Sequence, residues 1–324
     1  MKPLRVLVTG GSGFIGVHLV GLLSEQGYSV LNIDISAPLD NRNLDLWKNI
    51  SLLDKGSLAS HVLDFDPNFI VHLAAITTQN AKSLAEFEVN INGTENLVLA
   101  AKNLKSLKKL LFMSTQYVNT PGIPYSEDLL KLVPYGFYGE SKLISEIFIR
   151  ENFHSASWTI LRPATIWGPW HPVLTKGLWK LISNGRYFHP RKDSVIKAYG
   201  YVENTAWQIE KIIRLESRLT DKKTFYLADN NMSQKEWVEG FVLKLRNHNL
   251  REIPRFILFF ASEIGEVLKK FNIPFPLYKS RYRNLMTTNP SPITKTQDLL
   301  GSTPFEFQDG INRTCLWLKH KREC

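Results

Sequence analysis

The sequence predicts an α/β protein in which a doubly wound parallel sheet is joined to a smaller mixed α/β lobe, and three observations carry that prediction. Short apolar runs recur through the first two thirds of the chain, helical patterns separate them, and the runs are apolar almost throughout rather than alternating. Strands that alternate with helices and are apolar on both faces belong to a parallel sheet covered on both sides. In order, the expected strands are "LRVLVT" (4–9), "SVLNIDI" (29–35), "FIVHLAA" (69–75), "KKLLFMS" (108–114), "SWTILRP" (157–163) and "TFYLAD" (224–229). The clearest helical patterns cover 84–104 and 138–152.

From about Gly168 the regularity breaks. Pro, Trp, His and Gly crowd "GPWHPVLTKG" (168–177), and "HPRKD" (189–193) reads as another loop. The expected division is a nucleotide-binding lobe over 1–167 and 198–230, and a substrate lobe over 168–197 and 231–324. Within the second lobe, Phe256, Phe260, Ile264, Val267 and Phe271 form an apolar stripe at helical spacing. A helix packed inward on the smaller lobe is the expectation, with a membrane-surface helix as the minority reading.

Composition narrows the function. At 324 residues with 44% hydrophobic and 22% charged residues, the chain can build a large core and is not disordered. Cys315 and Cys324 make neither a disulfide framework nor a metal cluster, so no metal is expected. The N-terminus enters an apolar strand within four residues, and the run "FILFFA" (256–261) is far short of the roughly 18 residues a membrane span needs. A cytoplasmic protein with no signal peptide and no integral membrane segment is expected. The net charge of +10 is concentrated late: residues 243–324 hold fourteen Lys and Arg against seven Asp and Glu. No basic run interleaves with aromatics as a single-strand groove requires, so nucleic acid is not the expected partner. An anionic small substrate accounts for the basic C-terminal half.

Gly10, Gly13 and Gly16 lie at three-residue spacing between the first strand and a helix. Such a turn lets backbone amides approach a pyrophosphate at a helix N-terminus, and Phe14 and Ile15 in the same loop are counted with the cofactor contacts. Asp34 ends the second strand 18 residues after Gly16. A carboxylate there accepts from an adenosine ribose and repels a 2′-phosphate, which favours NAD over NADP. No arginine follows Asp34 directly, the nearest being Arg42.

In "YGESK", Tyr138 and Lys142 are four apart and share one helix face. A tyrosine of pKa about 10 is a poor base near neutrality. A lysine cation about 4 Å away contributes on the order of 4 kcal/mol at intermediate dielectric, enough to lower that pKa by about three units. The strand before the pair ends in Thr115, whose hydroxyl is placed to orient a substrate alcohol.

Taken in order, the glycine loop, Asp34, "LAA" (73–75), "NINGT" (90–94), the Ser114–Thr115 strand end, Tyr138-x-x-x-Lys142 and "RPATIWGP" (162–169) resemble the extended short-chain dehydrogenase/reductases, nearest to the nucleotide-sugar epimerases and dehydratases. The resemblance covers residues 4–230 firmly and the rest loosely. It implies a Rossmann-type sheet with NAD as cofactor, Thr115 assisting proton transfer, Tyr138 as general base or acid, and Lys142 binding the ribose and lowering the tyrosine pKa. It further implies that Ala74, Asn90 and Pro163 contact the dinucleotide, and it places Thr77 and Gln116 toward the substrate. Lys197 stands where relatives carry an arginine for the substrate pyrophosphate, with Arg281 or Arg283 as a second phosphate ligand.

Sugar 4,6-dehydratases of this family carry an acidic pair directly after the catalytic hydroxyl, where this chain has Gln116 and Tyr117. An amide exchanges no proton at usable pH, and one phenol is a weak substitute for two carboxyls. The dehydratase is therefore disfavoured. The resemblance implies an NAD-dependent nucleotide-sugar epimerase acting at carbon 4, in polysaccharide biosynthesis, with a 4-keto-sugar reductase as the alternative. A sterol-type dehydrogenase stays open because "PRFILFF" (254–260) loosely resembles that branch, as does a dinucleotide sensor on the same fold. The helices at 84–104 and 138–152 are expected to pair across a two-fold axis in a homodimer.

Overall fold

Each apolar run becomes a strand of one sheet covered on both faces, with the strand Lys223–Leu227 at one edge. The computed structural model describes residues 3–191, 194–273 and 275–323. β1 (Arg5–Thr9) turns into α1 (Phe14–Glu25), and β2 (Ser29–Asp34) and the short β3 (Trp47–Asn49) follow. α2 (Lys55–Phe65) precedes β4 (Phe69–His72), α3 (Glu88–Ala101) precedes β5 (Lys109–Met113), and α4 (Gly136–Asn152) precedes β6 (Ser157–Pro163). β7 (Thr165–Trp167) leads to the short α5 (Pro172–Lys176) and α6 (Leu178–Ser183), then β8 (His189–Pro190) and β9 (Ile196–Tyr201). α7 (Val202–Arg214) and α8 (Ser217–Thr220) come before β10 (Lys223–Leu227) and β11 (Asn230–Ser233). α9 (Gln234–Arg246), β12 (Glu252–Ile253), α10 (Arg255–Lys270), α11 (Lys279–Met286), α12 (Thr294–Leu300) and α13 (Phe307–Glu323) complete the described chain.

Seven strands form one sheet in the order β10-β6-β5-β4-β1-β2-β3, with every neighbouring pair parallel. The chain winds outward from β1 to β3, then returns to β4 on the other side of β1. That reversal opens a crevice beyond the carboxyl ends of β1 and β4, where a doubly wound fold receives its ligand. Alternate residues of each strand feed opposite layers. Val6 and Val8 join Leu19, Leu23, Ile209 and Ile213 under α1 and α7, whereas Leu7 joins Leu97, Ile149 and Phe153 under α3 and α4. Lys109 of β5 is buried, and its Nζ donates to the carbonyls of Ile212 (2.7 Å) and Leu215 (2.8 Å) at the end of α7. Burial pushes that lysine down to about 8.

A second, mixed sheet holds β11-β9-β7, and β12 pairs with β8. Residues 165–167 and 198–201 thus lie in the smaller sheet, where the expected division had given them to the nucleotide-binding lobe. This lobe packs on an aromatic cluster of Trp167, Trp179, Tyr199, Tyr201, Trp237 and Phe241, with Tyr199 stacked on Trp237 at 4.7 Å between ring centroids. Of the loop expected at 189–193, Lys192 and Asp193 lie outside the described residues, as does Cys324.

The inward packing expected for the stripe on α10 is overturned. The helix buries Leu258, Ser262 and Gly265, and its apolar stripe faces outward, with Phe256 62%, Phe260 61% and Phe271 70% exposed. Gly265 explains the choice of face: the returning chain crosses so closely there that a Cβ would overlap the Leu277 carbonyl oxygen. Only the face of small side chains admits that crossing.

Candidate active site

The crevice floor begins at the glycine turn. Gly10 has φ +71°, in the left-handed region, and a Cβ on it would overlap the backbone of Ala74 at the end of β4. A Cβ on Gly16 would overlap the Gly10 carbonyl oxygen, so α1 starts hard against the turn. Its N-cap residue, Gly13, offers no side-chain cap and no acidic residue occupies the first turn. The opening amides of α1 at Phe14, Ile15 and Gly16 therefore present an anion site of the kind helix N-termini supply. The Phe14 ring itself packs on His171 at 4.7 Å.

Asp34 is brought to the same turn by the register of β1 and β2. Its carboxylate accepts from the amides of Ser12 (3.1 Å) and Ser36 (3.0 Å), and the Ser12 hydroxyl accepts from Asn32 Nδ2 (3.0 Å). Arg42 is held elsewhere, with its Nη2 2.6 Å from Asp40, and is largely exposed.

A buried chain of hydrogen bonds ties the turn to the opposite wall. The Ala74 amide donates to Thr9 Oγ1 (3.4 Å), and that hydroxyl lies 2.6 Å from His72 Nδ1. His72 Nε2 lies 2.9 Å from Thr94 Oγ1, whose own proton goes to the Asn90 carbonyl (2.6 Å). Since the Thr94 hydroxyl is spent on Asn90, Nε2 carries the imidazole proton and Nδ1 accepts from Thr9. Burial holds His72 well below the usual histidine range, and the nearby Lys142 pushes the same way. The Asn90 carboxamide accepts from the Ile76 amide (2.7 Å) and donates to the Ile76 carbonyl (3.0 Å) and to Ser141 (3.0 Å). These bonds brace the loop after β4 against α4.

Thr115 lies just past the end of β5, and Tyr138 and Lys142 lie on α4. Thr115 caps the short turn 116–118, accepting from the Tyr117 amide (3.2 Å). Its hydroxyl stands near the Tyr138 phenol in the first turn of α4 and draws the pKa of that phenol down. Lys142 stands one turn further on, fully buried, with its Nζ 4.2 Å from the centre of the Phe112 ring. That Nζ has no hydrogen-bond partner. The electrostatics correct the expectation that Lys142 lowers the tyrosine pKa. Burial pushes Tyr138 up to about 12 against the opposing pull of the Thr115 hydroxyl. Burial also brings Lys142 down to about 7, so near neutrality the lysine is only partly cationic.

Glu146 extends the Tyr138–Lys142 column by one more turn, and sequence reasoning missed it. It is fully buried, accepts from Arg162 Nε (2.9 Å) and Nη2 (2.7 Å), and takes the Ser114 hydroxyl at 2.5 Å. Arg162 also donates to the Tyr226 hydroxyl (2.8 Å). The helical spacing 138, 142, 146 was available as a signal; the partner on β6 was not.

The remaining expected contacts are dispersed. Pro163 ends β6 beside Leu227 of β10, and Thr77 is exposed on the loop after β4. Gln116 is 2% exposed and accepts from the Ser291 hydroxyl (3.0 Å), fastening the floor to the C-terminal lobe. Lys197 donates to the carbonyl and side-chain oxygens of Asn284 (2.8 and 2.7 Å). Arg281 is exposed on α11 and donates to the Pro276 carbonyl (2.8 Å). Lys197 is thus tied to α11, the helix that carries Arg281, and both cations are occupied by protein oxygens. The orphaned Lys142 Nζ, the uncapped start of α1 and the carboxylate of Asp34 do fit a dinucleotide.

Comparison with known proteins agrees with the architecture. The family model described as "NAD dependent epimerase/dehydratase family" matches residues 6–190. The decarboxylating sterol-4-alpha-carboxylate 3-dehydrogenase of Schizosaccharomyces pombe is 23% identical over 370 residues, covering 99% of each chain. The UDP-glucose 4-epimerase of Mycolicibacterium smegmatis is 29% identical over 181 residues, 51% of this chain and 57% of that protein. The crystal structure of UDP-glucuronic acid 4-epimerase from Bacillus cereus, solved with UDP-glucuronic acid and NAD, matches with a TM-score of 0.75 at 20% identity, covering 98% of this chain and 100% of that one. At that identity the likeness establishes the fold. Because the family match runs from β1 into β8 and takes in the whole crevice floor, the chain belongs to the NAD dependent epimerase/dehydratase family and is an NAD-dependent enzyme.

Proposed function

We propose that the protein is a nucleotide-sugar epimerase acting at carbon 4 of the hexose through a transient keto-sugar. The observation that carries this reading is the grouping of Thr115, Tyr138 and Lys142 on the crevice floor, with the Lys142 Nζ orphaned and no carboxylate at 116 or 117. Bound NAD supplies a hydride acceptor and donor. Gly10, Gly13, Phe14, Ile15 and Gly16 would hold its pyrophosphate, Asp34 its adenosine ribose, Lys142 the other ribose, and Ala74 and Pro163 would line its path. Tyr138 moves the proton of the sugar 4-hydroxyl, and Thr115 orients that alcohol. With its pKa pushed up to about 12, Tyr138 rests as an acid; it serves as a base when Lys142 is protonated beside it and positive charge lies across the crevice. Gln116 and Tyr117 provide no carboxyl pair, so elimination at carbons 5 and 6 is unsupported.

Thr77 forms part of the proposed substrate wall, and Lys197 and Arg281 would reach a substrate diphosphate only by leaving their present oxygens. The reading takes the enzyme as cytoplasmic and in polysaccharide biosynthesis, and as a homodimer formed through α3 and α4. Half-buried Leu143, Ile147 and Phe148 on α4 support that pairing. A second reading, a sterol-type carboxylate dehydrogenase, is favoured by the full-length alignment with the fission-yeast enzyme.

The deciding assay incubates the purified protein with UDP-, dTDP-, GDP- and CDP-sugars and no added reductant. Epimer formation with no net change in nicotinamide absorbance supports the 4-epimerase. Consumption of a 4-keto sugar with stoichiometric NADH oxidation, and no epimer from any alcohol, makes the protein a reductase. NADH production from a 4-carboxysterol, with no sugar turnover, establishes the second reading.

A further inference from the structure

The helical hairpin α10–α11 carries an arrangement that the crevice chemistry does not use. On α10 the apolar side chains face out and the small ones face in. Phe256, Ile257, Phe259, Phe260, Ile264 and Val267 are exposed along the helix, and Phe271 and Ile273 continue the patch beyond its end. A contiguous apolar face of this extent on a helix marks an interaction surface rather than ordinary scatter. At 16 residues α10 is too short to cross a bilayer, and no helix among the described residues is long and apolar enough to do so.

Charge identifies the occupant. Residues 255–286 hold six Lys and Arg against two Glu. Both glutamates are taken up inside the hairpin: Glu263 lies 2.9 Å from Lys279 Nζ, and Glu266 accepts from the Lys279 amide at 3.3 Å. Exposed Lys269 and Lys270 stand at the end of the apolar face, with exposed Arg281 and Arg283 on the neighbouring helix. Lys269 and Arg281 both lie over the Tyr278 ring, at 5.6 and 5.4 Å from its centre. An apolar, phenylalanine-rich helix face bordered by cations is the pattern of a helix lying in the plane of a lipid interface. Two copies meeting through this face would bring like charges together, whereas anionic headgroups match them. The hairpin also adjoins the substrate lobe directly, since Lys197 of β9 donates to Asn284 of α11.

We propose that α10 and α11 dock the protein on an anionic membrane surface, with the phenylalanines of α10 in the interfacial region and Lys269, Lys270, Arg281 and Arg283 on the headgroups. The test is flotation of the full chain with vesicles of phosphatidylcholine containing about one third phosphatidylglycerol, against phosphatidylcholine alone, at low salt. The expected result is flotation with the anionic vesicles and about tenfold less with the neutral ones. Phe256→Ser/Phe260→Ser/Phe271→Ser should cut the bound fraction by about tenfold or more with the melting temperature unchanged, because these side chains contribute little to the core. Lys269→Gln and Lys270→Gln should each weaken binding roughly fivefold, an effect that salt reproduces in the wild type. Three results would overturn the proposal. These are no flotation with anionic vesicles, undiminished binding by the triple serine variant, or a wild-type dimer in light scattering that the triple variant converts to monomer, which would assign the face to a second copy.

Discussion

Helices α4 and α10 break the usual rule of burial in opposite directions. α4 buries Ser141, Lys142, Ser145 and Glu146, a polar column at the centre of the molecule. α10 leaves a phenylalanine-rich face in the open. In α4 the polar groups are accommodated because neighbours answer them: Ser141 and Asn90 bond each other, Ser145 donates to the Asn90 carbonyl, and Arg162 grips Glu146 with two bonds. Only the Lys142 Nζ in that column lacks a partner. In α10 a close chain crossing selects the small-residue face for burial. Hydropathy therefore ranks the faces of a helix but does not choose between them; the neighbouring backbone does.

The comparison can be broken most forcefully at Tyr138. Tyr138→Phe should lower kcat by about 10²–10⁴ while dinucleotide affinity, measured calorimetrically, stays near wild type, because only the proton-bearing hydroxyl is lost. Turnover within about tenfold of wild type would move the proton chemistry to another residue.

Next in size is Arg162→Met, which strips the buried Glu146 carboxylate of its two close bonds, leaving it Ser114 and, at 3.7 Å, Arg150. It should cost about 3 kcal/mol of stability by chemical denaturation. The double variant Glu146→Gln/Arg162→Met should recover most of that loss, and failure to recover would show that packing rather than charge holds this column.

Lys142 sharpens the contrast through pH. Its pKa falls from the ordinary 10.5 to about 7 in the folded protein, so between those values the unfolded chain binds more protons than the folded one. Stability from this group must then rise with pH across that window, by about 1 kcal/mol per pH unit. Lys142→Met should remove the slope. Reading the wild-type-minus-variant difference between pH 7 and 9 avoids Tyr138, whose raised pKa makes folding less favourable only above about 10.

Asp34→Ala should shrink the preference for NAD over NADP by about tenfold, in competitive binding, because a 2′-phosphate no longer meets a carboxylate. Equal wild-type affinity for both dinucleotides would remove the assigned role of Asp34. The smallest effect belongs to α10, where Phe260→Ser should change stability by no more than about 0.5 kcal/mol. Phe112→Ala, under the crevice floor, should cost about 3–5 kcal/mol.

The parts of the molecule legible in the sequence are those whose signals are local. The strands ending at Thr9, Asp34 and Pro163 are mostly apolar and bounded by turns, and Tyr138 and Lys142 share a helix face whatever surrounds them. The strands at 47–49, 165–167 and 196–201 carry mixed side chains, and only their partners make them strands. Asn90 sits in a recognisable motif, yet its role as a brace depends on Ile76 and on Ser141, which is 51 residues away. The predicted lowering of the Tyr138 pKa assumed a charged lysine beside it, and depth of burial, which no spacing reports, sets the charge on Lys142.

The hydrogen-bond chain through His72 has a sense of direction. From the Ala74 amide each proton points onward, through Thr9, the imidazole and Thr94, to the Asn90 carbonyl. Reversing any one member strands a donor against a donor, so the ring cannot flip or change tautomer alone. The glycine turn and the helix that carries Asn90 are thereby keyed together through one imidazole. Losing the Thr9 hydroxyl would leave Nδ1 without its donor and uncouple the turn from a wall more than eighty residues further along the chain.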